Sequence, residues 1–156
     1  MPIPASLCRP ICKAAAKMRY NAPVSHTGAH MIYGIGTDIL RIGRIEQLYG
    51  KYGQALAERL LSRIELLEWR SVGNKTNFLA KRFAAKEAFA KAVHTGLRSP
   101  VTLHHISIAH DKLGRPEFVV EPPLQEWLRQ QGIGRVHLSL SDDNGAVVAF
   151  AVAEKA

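Results

Sequence analysis

The sequence predicts a single α+β domain in which a largely antiparallel sheet packs against a long central helix. Patterns along the chain run in the order strand, helices, strand, strand, helix, strand, strand. The last two strands flank Asn144-Gly145, a pair that is typical of a tight hairpin turn. The stretch from Thr76 to Gly96 is rich in Ala, with Leu, Lys, Arg and Glu, and therefore favours a helix. A chain of 156 residues can bury the core of one domain, and no internal repeat or second domain is evident.

Residues 1–30 differ in composition from the rest of the chain. They are rich in Ala and Pro and hold four basic residues and no acidic one, within a chain whose net charge is +8. We expect a dispensable, poorly ordered basic leader or upstream extension, followed by one domain in residues 31–156. Its origin stays open between an organelle transit peptide and translation from an upstream start codon.

The composition of the predicted domain limits its function class. Its modest excess of positive charge suits an acidic partner or a phosphorylated substrate and does not require nucleic acid. Both cysteines, Cys8 and Cys12, lie in residues 1–30, so the domain has no disulfide framework. No apolar run approaches the ~20 residues of a membrane span. We therefore expect a cytoplasmic protein that binds neither a membrane nor nucleic acid.

The first strand is predicted over residues 31–40, and its alternation separates two faces. Gly34, Gly36 and Asp38 point to the same face, with Ile32 and Leu40. Because glycine weakens a strand, its use here indicates close approach by backbone or ligand, and a pyrophosphate could approach this bare face. The alternative is a tight bend with Asp38 at the start of a turn.

Residues 41–70 are predicted to form two or three helical pieces. Ser62 and Glu65 have the spacing of a capping box for a short helix over residues 63–70. Five arginines in this region should be largely exposed, either as a solvated face or as a docking patch for an acidic protein: Arg41, Arg44, Arg59, Arg63 and Arg70.

The central helix is predicted to start with Thr76 as its cap and to end at Gly96. Glu87 lies beside its apolar stripe and shares a face with Lys91, one turn further on. Lys86 and Arg82 form a second row alongside. A carboxylate ringed by cations suits a site for a metal and phosphates, whereas the simpler interpretation is a solvated Glu–Lys pair.

The C-terminal half is predicted to contain four strands and a helix. The strands are expected over residues 101–109, 115–120, 136–141 and 146–153, and the helix over residues 124–131, opened by Pro122 and Pro123.

Two acidic side chains are the main candidates for chemistry. No motif for an enzyme nucleophile or a phosphate-binding loop is present. Asp38 and Glu87 could hold Mg²⁺, which keeps several waters and takes further ligands from substrate phosphates. On their own they are a weak signal.

Four segments together carry a family resemblance. They are YGIGTDILRIGRIE, FLAKRFAAKEAFAKAVHTGL, LGRPEF and VHLSLSDDNGAVVAFAVAE. In this order and spacing they resemble the holo-[acyl-carrier-protein] synthases, the short-chain class of 4′-phosphopantetheinyl transferases. The match extends from Met31 to Glu154. It implies that family's α+β fold and a homotrimer with active sites at the subunit interfaces.

The resemblance implies a specific reaction. Family members transfer the 4′-phosphopantetheine arm of coenzyme A to a serine of apo acyl carrier protein, in support of fatty acid biosynthesis. They release adenosine 3′,5′-bisphosphate and depend on Mg²⁺. The chain would therefore be an enzyme with coenzyme A as co-substrate and the carrier protein as partner.

The resemblance also implies roles for residues at matching positions. Asp38 and Glu87 would be magnesium ligands and, with Lys91, the catalytic residues. Arg44 would contact the carrier protein. The residues implied to meet coenzyme A are Lys86, Lys91, Gly96, Arg115, Pro116 and Ser141. Some family members have histidine after this serine, whereas this chain has Asp142, so no role is transferred to that position.

Two other functions remain alternatives. One is a different Mg-dependent phosphotransferase or phosphohydrolase that uses the same two carboxylates. The other is a basic RNA-binding module, which would need exposed aromatic residues on the sheet to stack bases. The predicted strands offer Tyr33, Phe118 and Phe150.

Overall fold

The computed structural model describes residues 31–156, so the predicted leader, with Cys8 and Cys12, lies outside the described residues. These residues form five strands and five helices in the expected order, with four helices in succession after the first strand. They are β1 (Ile32–Arg41), α1 (Ile42–Tyr52), α2 (Gln54–Leu60), α3 (Arg63–Trp69), α4 (Lys75–Ala92), β2 (Ile106–His110), β3 (Pro116–Val120), α5 (Pro122–Gln130), β4 (Ile133–Asp143) and β5 (Ala146–Lys155). In this part of the chain, no helix is both long enough and apolar enough to span a bilayer.

The five strands form one antiparallel sheet in the order β1-β5-β4-β3-β2. β4 and β5 are joined by the predicted hairpin, in which Asn144 and Gly145 adopt φ of 47° and 74°. β3 and β4 share one ladder pair, Glu117 opposite His137, and Arg135 of β4 also bonds to Glu117 at 2.9 Å. The predicted α+β class with a largely antiparallel sheet is therefore confirmed.

Helix α4 lies close against one face of the sheet because both sides of the contact are built from small residues. The facing positions of β5 are Ala149, Ala151 and Ala153, all fully buried. In β1, a Cβ on Gly36 would lie only 2.0 Å from the carbonyl oxygen of Ala88. A Cβ on Gly34 would likewise meet the carbonyl oxygen of Ala92 at 2.2 Å.

These contacts confirm the alternation of β1 and correct one consequence drawn from it. Gly34 and Gly36 are buried, whereas Ile35 and Ile39 on the opposite face are exposed. The backbone of α4 fills the face left bare by the glycines, so a pyrophosphate cannot approach over them. Asp38 lies one step further along the same face and is half-buried beside Lys91 of the same helix.

The ends of α4 differ from the prediction at both termini. Asn74, not Thr76, caps the helix, because its side-chain oxygen accepts a hydrogen bond from the Asn77 amide at 3.0 Å. The helix ends at Ala92, and His94 already adopts a φ of 63°. The left-handed conformation that glycine was expected to supply at Gly96 therefore begins two residues earlier.

The predicted strand over residues 101–109 is wrong in its first half, and β2 begins only at Ile106. Local hydrogen bonds turn the chain before that point: the amide of Thr102 donates to Pro100 O, and the amide of His105 donates to Thr102 O. The alternation of residue types along the sequence does not predict such turns.

Candidate active site

Asp38 and Lys91 meet where β1 runs past the C-terminal half of α4. The Lys91 ammonium donates to Asp38 Oδ1 at 2.8 Å and to the carbonyl oxygen of Thr37 at 2.9 Å. The Asp38 side chain is 17% exposed and that of Lys91 is 48% exposed. The pair therefore lies at the surface, with Lys91 accessible to solvent.

Glu87 lies one helical turn before Lys91 and is partly buried. Burial raises the pKa of Glu87 above its ordinary value, and the negative charge of Asp38 raises it further, whereas Lys91 lowers it. Asp38 and Glu87 are therefore close enough to repel each other. The structure thus brings together all three residues predicted to be catalytic.

This donor set fits a magnesium ion. Two carboxylates in mutual repulsion would be stabilised by a bound cation, and Mg²⁺ prefers oxygen ligands. Among residues 31–156, no cluster of three or more His, Cys, Asp or Glu side chains could hold a metal. The remaining ligands would have to be water or substrate oxygens, which is how Mg²⁺ is usually bound beside phosphates.

Lys86 does not belong to this site, which corrects the role implied for it. Its side chain is fully buried, and its ammonium donates to Glu65 Oε2 at 2.6 Å and to the carbonyl oxygens of Leu60 and Leu103 at 2.8 and 2.7 Å. All three donors are used, so none is left for a phosphate of coenzyme A. Burial lowers the pKa of Lys86, and the Glu65 charge acts in the opposite direction.

The predicted second row of cations is therefore an internal ion cluster. Arg82 is also buried, 3.3 Å from Glu65 and 2.8 Å from Glu68. The capping box of α3 is confirmed: Glu65 Oε2 accepts from the Ser62 amide, and Ser62 Oγ accepts from the Glu65 amide. Sequence reasoning identified Glu65 as a cap but missed it as the partner of Lys86.

The other predicted site residues lie away from Asp38 within one chain. Arg115 and Pro116 stand where β3 begins, in the half of the sheet remote from β1. Ser141 pairs with Val148, which pairs with Ile39, so Ser141 lies on the sheet face opposite Asp38. The structure therefore brings one part of the predicted site together and leaves Arg115, Pro116 and Ser141 elsewhere.

Gly96 and Arg44 occupy positions compatible with their predicted roles. Gly96 follows α4 with a φ of 66° and is exposed, five residues beyond Lys91 in the chain. Arg44 is exposed on α1, the helix that directly follows β1.

Asp142, at the position where the family resemblance breaks, pairs with the central helix. Lys81 lies 2.7 Å from Asp142, and Asn77 donates to the same carboxylate at 3.3 Å. The Lys81 hydrogen bond is the main cause of a lowered pKa for Asp142, so this residue is a carboxylate that links β4 to α4.

A cleft of about 800 Å³ opens between β3, β4 and α5. Part of its lining comes from Phe89, Phe118 and Leu128, together with Arg115 and Pro116. Asp38, Glu87 and Lys91 take no part in it. The cleft is therefore separate from the carboxylate site within one chain.

The sheet face opposite α4 is apolar and exposed. Ile35, Ile39 and Phe150 are 58%, 70% and 42% exposed, and Val148 lies among them. These four residues are called the apolar sheet face below. Apolar side chains clustered in this way on a folded domain mark an interaction surface.

Comparison with known proteins defines the class. The sequence-family model that describes the 4′-phosphopantetheinyl transferase superfamily matches residues 34–151 of this chain. A holo-[acyl-carrier-protein] synthase of Neisseria meningitidis serogroup A is 60% identical over 125 residues, which is 80% of this chain and 100% of that protein.

Solved structures agree with the sequence match. The crystal structure of holo-[acyl-carrier-protein] synthase from Neisseria meningitidis superposes with a TM-score of 0.79 at 58% identity, over 80% of this chain and 100% of that one. A holo-(acyl-carrier-protein) synthase from Bacillus anthracis in complex with CoA (3′,5′-ADP) gives a TM-score of 0.67 at 34% identity, over 81% and 99%.

The fold and these matches place the chain in the 4′-phosphopantetheinyl transferase superfamily. Within that superfamily it belongs to the holo-[acyl-carrier-protein] synthases, and it is an enzyme of the transferase class.

Proposed function

We propose that this enzyme transfers the 4′-phosphopantetheine arm of coenzyme A to a serine of an apo acyl carrier protein in the cytoplasm. Adenosine 3′,5′-bisphosphate is the other product, and the reaction supports fatty acid biosynthesis. The observation that carries the proposal is the cluster of Asp38, Glu87 and Lys91, which joins β1 to α4. The coenzyme A found in the Bacillus anthracis relative supports the choice of co-substrate.

The residues support this chemistry by positioning and by charge. Phosphoryl transfer depends mainly on neutralising charge and aligning the reacting groups. Asp38 and Glu87 would hold the Mg²⁺, which supplies positive charge to the pyrophosphate when bound. Lys91 adds a fixed cation on the same surface, able to exchange its bond to Asp38 for one to a phosphate oxygen. The attacking group is the serine of the partner, so the enzyme needs no nucleophile of its own.

The decisive experiment is mass spectrometry of apo carrier protein after incubation with coenzyme A, Mg²⁺ and the enzyme. The carrier protein should gain the mass of one phosphopantetheine group, and a chelator should abolish the gain. Breakdown of coenzyme A without carrier protein, and with no mass gain, would instead indicate the phosphohydrolase alternative.

The RNA-binding alternative receives no support from the aromatic residues named for it. Phe118 packs edge-on against Phe89, with ring centroids 4.9 Å apart, and Tyr33 packs on His94 at 5.4 Å. Of the three candidates, only Phe150 is substantially exposed. These residues therefore do not form a row of exposed aromatic side chains that could stack on bases.

We propose that Arg44 is a main contact of the acidic carrier protein. Arg44 is exposed on α1. The four other arginines that were predicted to be exposed are exposed as well. Arg44→Glu should raise the apparent KM for carrier protein far more than that for coenzyme A, and higher salt should weaken wild-type binding. Lys155→Glu makes the same reversal of charge at the exposed end of β5 and is the matched control. Equal losses for both substrates would contradict the contact.

We further propose that the enzyme is a homotrimer whose active sites lie between subunits. The apolar sheet face offers the surface that such an assembly would bury. Arg115, Pro116 and Ser141, which do not meet Asp38 in one chain, would then complete the site of a neighbouring subunit.

Residues 1–30 are proposed to be dispensable, so a chain that begins at Met31 should fold and keep its activity.

A further inference from the structure

We propose that the buried ion cluster around Glu65 and Lys86 is a positioning device, which sets the rotation of α4 so that the Glu87 carboxylate faces Asp38. Glu87 follows Lys86 directly in the chain, yet the two side chains leave the helix in different directions. The inference rests on the proposed role of Glu87 as a metal ligand and adds the residues that hold it in place.

Lys86 connects α4 to three other segments. Its ammonium donates to the carbonyl oxygen of Leu60 at the end of α2, to Glu65 on α3, and to the carbonyl oxygen of Leu103 before β2. Three acceptors from three segments fix both the direction and the depth of this side chain. A rotation of α4 would break all three bonds together.

Glu65 is in turn fixed from several directions. Its Oε2 accepts from Lys86 and from the Ser62 amide, and its Oε1 accepts from the amide of Ile108 in β2 at 3.0 Å. Arg82, one turn before Lys86, lies 3.3 Å from the same Oε1. The carboxylate is therefore a rigid reference point for α4, tied to the backbone of both α3 and β2.

Helical geometry places Glu87 between two such restraints. Successive residues are about 100° apart around an α-helix, so Glu87 and Lys91 lie about 100° and 140° from Lys86. Ala88 and Ala92, which press against Gly36 and Gly34, lie about 200° and 240° from Lys86 by the same count. The ion cluster thus holds one side of α4, the strand holds the other, and the site residues project between them.

The chemistry of the cluster favours orientation over stability as its role. A buried ion pair often stabilises a fold no better than apolar side chains of the same size would. Leu79 and Phe89 are the only large apolar side chains buried on this helix, and its other buried apolar positions are alanine, which packs closely but has little shape to define a rotation. The directional hydrogen bonds that Lys86 donates and Glu65 accepts supply that definition.

The test compares the wild type with variants of the ion cluster. For each protein, titration calorimetry well below the melting temperature measures how much Mg²⁺ strengthens coenzyme A binding. Lys86→Met keeps most of the side-chain length and removes the ammonium. We expect it to reduce the Mg²⁺-dependent gain in affinity by at least about tenfold, a difference of ~1.4 kcal/mol. Coenzyme A binding without Mg²⁺ should change much less.

The control is Leu124→Ala, which creates a cavity in the core at α5 without removing any hydrogen bond of the ion cluster. A purely structural role for Lys86 predicts that both variants melt earlier and keep the wild-type gain from Mg²⁺; that result would overturn the inference. Glu65→Gln is the second variant if Lys86→Met does not fold, and it should also lose the gain. If wild-type enzyme itself shows no gain, the proposed metal role of Glu87 fails instead.

Discussion

At the scale of single residues, Asp38 and Glu87 come from distant parts of the chain and still interact through their charges. If they hold one ion, loss of either should lower activity by about two to three orders of magnitude. Asp38→Asn with Glu87→Gln should then be little worse than either single variant, because the second change acts on a site that is already broken. Steady-state rates and Mg²⁺ dependence of the three variants test this.

Melting temperatures are the control: both substitutions keep size and shape, so neither variant should melt far below the wild type. Multiplicative losses in the double variant, or an unchanged Mg²⁺ dependence in either single variant, would show that the two carboxylates do not share a metal.

The pKa of Glu87 gives a second prediction for the metal-free enzyme. Carbon-detected NMR titration should give Glu87 a pKa above its ordinary value of 4.5. Asp38→Asn should lower that pKa by removing a neighbouring negative charge, and Lys91→Met should raise it. A Glu87 that titrates at or below its ordinary value would contradict the geometry described here.

The same shift has a consequence for stability. Because folding raises the pKa, the folded state favours protonated Glu87, and its contribution to stability is present at low pH. It is lost as the pH rises from 4.5 through the raised value. Glu87→Gln should therefore melt higher than the wild type above this window when no metal is bound.

Sequence reasoning reached these residues by spacing and resemblance, and it failed at Lys86 for a physical reason. A helical repeat gives the angle between side chains on one helix. It does not say which side chains of other elements those angles will meet. Lys86 and Lys91 looked equivalent as cations near Glu87, yet one meets Glu65 in the core and the other meets Asp38 at the surface.

At the scale of elements, the close packing of β1 on α4 depends on Gly36. Gly36→Ala would place a Cβ 2.0 Å from the Ala88 carbonyl oxygen and 2.9 Å from Lys91 Cβ, so the helix must move away from the strand. We expect a loss of roughly 2–3 kcal/mol in the free energy of unfolding. Weaker coenzyme A binding should accompany it, because Glu87 and Lys91 move with the helix.

Gly50→Ala is the matched control for this prediction. Gly50 lies within α1, and nothing within 4 Å would meet its Cβ. Alanine there should stabilise the fold by roughly 0.5–1 kcal/mol. Denaturant unfolding measures both effects, and equal responses of the two variants would contradict the proposed close approach at β1.

The elements themselves were predictable wherever a strong local signal coincided with the tertiary structure. The alternation of β1, the capping box at Ser62 and the Asn144-Gly145 hairpin all carry such signals, and all three are confirmed. The start of α4 was misplaced because Asn74 and Thr76 are both good caps, and only the backbone decides between them. The turns before β2 depend on contacts that alternation does not record.

At the scale of the whole molecule, the two faces of the sheet have different roles. One face, with Asp38 and the glycines, supports α4, and the other is the apolar sheet face. Sequence alternation predicted which side chains share each face. It could not predict that three candidate site residues lie apart from Asp38 within one chain, because matching a motif gives no position in space.

Subunit mixing tests whether a partner completes the site. Asp38→Asn and Arg115→Ala chains should each be nearly inactive if Asp38 of one subunit works with Arg115 of its neighbour. When equal amounts are unfolded together and refolded, random assembly pairs a normal Asp38 with a normal Arg115 in about a quarter of the interfaces. Activity should return to about that fraction of the wild type.

An assembly-deficient background supplies the control for mixing. Ile39→Glu places a charge in the centre of the apolar sheet face, where the side chain is 70% exposed in the single chain. It should therefore leave the fold intact and yield monomers by analytical ultracentrifugation, because burying an unpaired carboxylate at an interface is costly. Mixed chains that carry this change should recover no activity. If mixed monomers recovered activity, or if the intact assembly recovered none, the whole site would lie within one chain.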